Sequence, residues 1–251
     1  MNEEKRESSA VPAAIIVAGV IIALALVFTR GGSNNSDGIV TDSPTAPEET
    51  REERQLRLSA NMIPVSTNDH MMGNPNAKYI LVEYSDIECP YCAAFHISMK
   101  ALMEEYGKDG TLAWVYRHFP LDSHKTAALQ AVASECVANL KDEQAFWDFL
   151  DLSFTNKPQT FISASTFDEL AQKVQTALAV YAVGLGVDVD DFNNCVENKD
   201  YLDKVLADIK NASESGVSGT PHNILIGPDG SRIVISGNNG PLVKQLIEQS
   251  K

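Results

Sequence analysis

The chain has 251 residues, 44% hydrophobic and 22% charged, a composition that can bury a core and so excludes disorder throughout. Its 34 acidic and 20 basic residues leave a formal net charge of -14, against both a nucleic-acid backbone surface and adhesion to anionic lipid outside any inserted segment. Length allows one large or two modest domains, and four cysteines are too few for a disulfide-built miniature scaffold.

Val11 to Phe28 carries no charged side chain. As a helix it spans roughly 27 Å, close to the ~30 Å of bilayer hydrocarbon. A cleaved signal peptide is the competing reading, but its apolar region is usually ~7–15 residues with a small-x-small exit. Here Ala23-Leu24-Ala25 lies inside the apolar run, so an uncleaved anchor is expected over 11–28. Lys5 and Arg6 before the span, against Arg30 after it, favour a cytoplasmic amino terminus over 1–10 by a small margin. Residues 29–61 are rich in Gly, Ser, Asn, Pro and mixed charges, which predicts a flexible linker, with room for a helical turn or two at Arg51 to Arg57.

From 62 onward the patterning is that of a folded domain. Lys78 to Asp86 is a near-continuous apolar run, as a strand covered on both faces requires. Phe95, Met99, Leu102, Met103 and Tyr106 recur at helical spacing behind Pro90, which suits a first helical turn. Thr111 to Phe119 predicts a second strand. About 121–215 reads as helical. Its stripes are Leu129/Val132/Cys136/Leu140, Phe146/Trp147/Leu150/Phe154, Phe167/Leu170/Val174/Leu178/Tyr181 behind a Thr166-x-x-Glu169 capping box, and Leu202/Val205/Leu206/Ile209. Asp188 is placed to cap a short helix carrying Phe192 and Cys195. Two strands, His222 to Ile226 and Arg232 to Ser236, flank a Gly227-Pro228-Asp229-Gly230 turn, and a helix over Pro241 to Gln249 closes the chain. This order predicts an α/β sheet domain interrupted by a helical insertion.

Cys89-Pro90-Tyr91-Cys92 falls where the first long strand gives way to a helix. Free N–H groups and the positive end of the helix dipole favour an anion there, so a thiolate at Cys89 has a lowered pKa. Cys92, one turn inside, is placed to attack the sulfur of Cys89 as the resolving thiol. A structural zinc site needs four ligands, and Cys136 and Cys195 are isolated. A purely structural disulfide gives no reason for the strand–helix junction. Redox chemistry does.

The stretches ILVEYSDIECPYCAAFH and, far downstream, GVSGTPHNILIGPDG resemble DsbA-like thiol:disulfide oxidoreductases of the thioredoxin superfamily, over roughly 62–251. The resemblance implies a thioredoxin fold with an inserted helical subdomain, and a cis-proline at Pro221, preceded by Thr220, facing the active-site pair. An ordinary trans proline opening a strand is the alternative. It also implies a buried carboxylate at Glu83, whose raised pKa suits a proton shuttle for Cys92; a solvent-facing strand-end Glu is the alternative. Asp86 and Glu88 are expected as solvated loop charges that slightly oppose the Cys89 thiolate. Some members of the group carry a second disulfide between insertion helices, here Cys136–Cys195; two buried free thiols are the alternative. Histidines 70, 96, 118, 124 and 222 are expected in surface or packing roles, although His96 and His222 lie close in sequence to Cys92 and Pro221. Tyr91 departs from the histidine of the best-known DsbA and supplies no positive charge, which points to a less oxidising pair.

The expected activity is that of a membrane-tethered, single-pass, extracytoplasmic thiol:disulfide oxidase acting on exported thiol proteins. The family implies reoxidation by a membrane partner of the DsbB or VKOR type. A monomer is expected, with no bound cofactor, metal or nucleic acid. A reductase or isomerase using the same pair, and a non-enzymatic anchored binding protein, are the alternatives.

Overall fold

The computed structural model describes residues 49–249. The expected anchor, 11–28, lies outside them, and no helix among the described residues is long and apolar enough to cross a membrane. Within the stretch expected as linker, Arg51–Ser59 forms helix α1. Thr50 and Glu53 close a reciprocal capping box at its start, which satisfies two of the donors that a helix leaves unpaired. The helix belongs to the folded unit. Arg232 bonds the carbonyl of Ser59, and Leu58 lies against Gly216, whose φ of +80° and lack of a Cβ admit it; a Cβ there would sit 2.9 Å from the leucine.

A five-stranded sheet follows, in the order β1-β3-β2-β4-β5. Its strands are β1 (His70–Met72), β2 (Tyr79–Ser85), β3 (Leu112–His118), β4 (His222–Ile226) and β5 (Arg232–Ser236). Only β2 and β3 run parallel, joined by the crossover helix α2 (Pro90–Tyr106). The three-residue edge strand β1 has no counterpart in the sequence reading, because it is too short to show alternation.

The central strand β2 is buried on both faces, and its period of two sorts its side chains. Tyr79 and Leu81 join Trp114, Tyr116 and the apolar side of α2 in one core; Val82 and Tyr84 join Val115, Ile224 and Met62 in another. Alternation therefore puts Glu83 beneath α2. On the opposite face Arg117, fully buried, donates to Asp69 at 2.7 and 3.1 Å and to the carbonyls of Ile63 and Pro64, which ties the entering chain to the sheet.

The insertion supplies α3 (Ala127–Leu140), α4 (Glu143–Asn156), α5 (Pro158–Phe161), α6 (Phe167–Gly184), α7 (Val189–Asn198) and α8 (Leu202–Glu214); α9 (Gly240–Glu248) closes the fold. A third core sits among these helices, and the disulfide Cys136–Cys195 joins α3 to α7 inside it. Two stripe residues differ from expectation: Phe167 is 55% and Leu206 49% exposed. The Thr166 capping box is half made, since Thr166 accepts from the amide of Glu169 while the Glu169 carboxylate takes the amide of Ser165.

Candidate active site

Cys89 is the N-cap of α2, in extended conformation, and Pro90 occupies the first turn. The Thr220–Pro221 peptide bond is cis and brings the Thr220 carbonyl 3.4 Å from the sulfur of Cys89. The two thiols are unbonded to each other covalently, and both are buried; Cys89 is 4% exposed and Cys92 0%, so an incoming sulfur meets Cys89 first.

The electrostatics of the two sulfurs are opposite. Cys89 is pulled down to about 5, first by the hydrogen bond from the Cys92 thiol, against the cost of burial, with help from Thr220 and the backbone N–H groups of Cys92 and Tyr91. Cys92 is pushed far above the ordinary thiol value first by burial, then by its hydrogen bond to the Cys89 sulfur, with the neighbouring Glu83 carboxyl and Cys89 thiolate disfavouring a second charge. The pair thus holds one proton at neutral pH, on Cys92.

Glu83 is 1% exposed, and its Oε2 accepts from the indole of Trp114 at 3.0 Å. Burial raises its pKa to about 8, with the Trp114 indole drawing it partly back. Its Oε1, the Ser85 hydroxyl and the Tyr116 phenol are buried polar atoms without partners on the Cys92 side of the sheet. Tyr116 and Ser85 were not anticipated, since each reads as an ordinary strand residue until register aligns Glu83 with Tyr116.

Asp86 and Glu88 correct the expectation of solvated loop charges. Asp86 is 1% exposed and accepts from the amides of Glu88 (2.7 Å) and Leu121 (2.7 Å) and from His124 Nδ1 (2.8 Å). Glu88 accepts from the amide of Thr126 at 2.7 Å and from its hydroxyl. Both carboxylates lie at the strand–helix turn, where free amides and hydroxyls converge, and bind them in place of water. His70, His96, His118 and His222 are buried. His70 and His118 flank Glu135, and His96 meets Asp151 at 2.5 Å. Burial lowers His222 to about 4.

Two cavities lie along the elements that carry and face the pair. One, about 590 Å³, runs along α2 past Pro90, Ala93, Ala94, Ile97 and Phe154, next to exposed Tyr91. The other, about 240 Å³, lies between the cis-proline loop and Arg51 and Gln55 of α1. Among the described residues no group of three or more side chains is arranged to hold a metal ion.

A thioredoxin family model matches residues 65–229. The α-DsbA1 structure of Wolbachia pipientis superposes with a TM-score of 0.62 at 23% identity, over 76% of this chain and 94% of that one. The oxidised BdbD structure of Bacillus subtilis gives 0.62 at 20% identity, over 74% and 94%. A sodium/proton antiporter NhaA of Salinispora tropica is 33% identical over 162 residues, 64% of this chain; the chain spans only 22% of that relative's length. With the family model covering most of the folded unit, the chain belongs to the thioredoxin family, and its fold is like that of the DsbA and BdbD structures.

Proposed function

We propose that this protein is an extracytoplasmic, membrane-tethered thiol:disulfide oxidase that introduces disulfides into exported proteins through Cys89 and Cys92. The observation that carries the reading is the inequality of the two sulfurs. A thiolate stable at about 5 sits at the outer position, and a proton-holding thiol sits behind it. Such a pair favours its reduced form, and a pair that favours its reduced form oxidises others.

In the oxidised protein a substrate thiolate attacks Sγ of Cys89. The Cys89–Cys92 bond breaks, a mixed disulfide forms, and the electron pair leaves on Cys92, which takes a proton. Glu83, with a pKa near neutrality, is positioned to move that proton. A second substrate thiolate then attacks the substrate sulfur of the mixed disulfide and expels Cys89 as its stabilised thiolate. Two electrons pass from the substrate dithiol to the cysteine pair. The cis Thr220–Pro221 segment beside Cys89 offers backbone to an extended substrate chain, and the apolar cavity along α2 accepts its side chains. The two electrons are returned to a membrane oxidase of the DsbB or VKOR type. Arg51 and Gln55 of α1 share a cavity with the cis-proline loop, which puts the first described helix at the exchange end.

The test is oxidative refolding of a reduced, unfolded protein, with equilibration of the pair against glutathione. Wild type should oxidise the client and Cys89→Ser should not. A reduction potential near that of thioredoxin, about -270 mV, or rescue of a scrambled client without oxidation of a reduced one, would refute the oxidase direction.

A further inference from the structure

Asp86 holds both halves of the site. Its backbone carbonyl accepts from the amide of Cys89 at 3.0 Å, and its own amide points at the sulfur of Cys92 at 3.5 Å. Its carboxylate, withdrawn from water, would set a negative charge behind the thiolate and oppose it. That carboxylate is capped by a single cationic group, the ring of His124, which arrives from the loop before α3 and keeps 24% of its side chain exposed. The titratable groups facing His124 are Asp86, Glu88 and Cys89, with Asp122 and Lys125 exposed on either side of it in the chain. Burial works against its proton, but the three facing groups outweigh burial and hold the ring above the ordinary imidazole value. The Glu88 carboxylate is meanwhile engaged by Thr126, and the hydrogen bond from His124 is the one imidazole contact on the Asp86 carboxylate among the described residues.

We infer that His124 is a positioning residue for the exchange: docked on Asp86 as an imidazolium, it cancels the buried carboxylate and sustains the Cys89 thiolate, and so sets how oxidising the pair is. The coupling is reciprocal. A thiolate that favours the proton on His124 is favoured by that proton to the same degree. The sequence gives no hint of this, because 38 residues separate the partners and neither lies in a periodic element. The inference deepens the oxidase reading and rests on it.

The experiment uses the full chain, wild type, His124→Gln and His124→Lys. Cys89 ionisation is followed by thiolate ultraviolet absorbance, and the pair is equilibrated with glutathione across pH. In H124Q the Cys89 pKa should rise by about one unit, as expected for loss of a nearby opposite charge. The glutathione equilibrium should move about tenfold toward the disulfide. H124K keeps the cation and should stay close to wild type. Wild type should also show a second inflection above the Cys89 ionisation, where His124 gives up its proton, and H124Q should lack it. An H124Q protein that melts like wild type and keeps the wild-type pKa and equilibrium overturns the inference. So does an H124K protein that behaves as H124Q does, since charge is then not the carrier. A wild type that fails to exchange with glutathione at all overturns the oxidase reading instead.

Discussion

Glu83 occupies a position that costs the fold stability. A carboxylate 99% shielded from water, with one oxygen bonded to Trp114 and the other unpartnered, is stable only as the neutral acid. Its pKa is raised from 4.5 to about 8. A group whose folded value lies above its unfolded one contributes fully below the unfolded pKa, and that contribution is lost as pH rises through the folded pKa. The window here runs from about 4.5 to about 8. Glu83→Gln keeps an acceptor for Trp114 and cannot ionise. It should match wild type in stability near pH 4 and exceed it increasingly up to pH 8, by about 2–3 kcal/mol near neutrality. The same variant should slow proton transfer to Cys92 on the order of tenfold or more, as removal of a general acid–base group does. Urea melts across pH, read beside stopped-flow reduction of the pair, check both. A variant with wild-type rates and an unchanged pH slope places Glu83 outside the proton path.

At the scale of elements, the insertion is a helical body stapled to itself. Cys136 and Cys195 close a 59-residue separation between α3 and α7, in a core that shares no residue with the core beneath the active pair. On the chain-entropy estimate the bridge contributes roughly 4 kcal/mol. The double variant Cys136→Ala/Cys195→Ala should lose about that much in chemical denaturation and keep the exchange rate of wild type, because the bridge lies about three helical turns beyond the Thr126 contact with Glu88. A fall in exchange without a fall in stability would mean that α3 transmits the bridge to the site. The helices and long strands were legible because burial imposes their periods: β2 as an apolar run, α2 through Phe95, Met99 and Tyr106, α7 through its Asp188 cap. The stripes over-reached only at Phe167 and Leu206, where an apolar residue faces water because no neighbour covers that side of the helix. What escaped was set by long-range contact. β1 exists through pairing with β3, and α1 keeps its place through Arg232 and the notch at Gly216. The same holds at the site. Cys89 and Cys92 show in the sequence through their spacing and the strand–helix junction, whereas the burial of Asp86 depends on a loop 35 residues away.

Taken as a whole, the sequence sets an acidic folded unit behind an uninterrupted apolar segment at 11–28 and a polar stretch rich in Gly, Ser, Asn and Pro. The last part of the stretch expected as linker folds as α1, whose Arg51 and Gln55 line a cavity with the cis-proline loop. Under the proposed reading, a flexible tether of about 20 residues would have a root-mean-square reach of roughly 25 Å, comparable to a small domain's diameter. Under the proposed anchoring, such a tether would hold the exchange end at high effective concentration for a membrane partner, whatever the partner's intrinsic affinity. The same tether predicts a sidedness. With the amino terminus inside, protease added to wall-stripped cells should digest residues 49–251 and spare an amino-terminal tag, and alkaline washing should leave the intact protein in the membrane fraction. Release by the wash would overturn the anchor. Protection of the domain with loss of the tag would reverse the orientation, and would place the cysteine pair in a reducing compartment where an oxidase has no use.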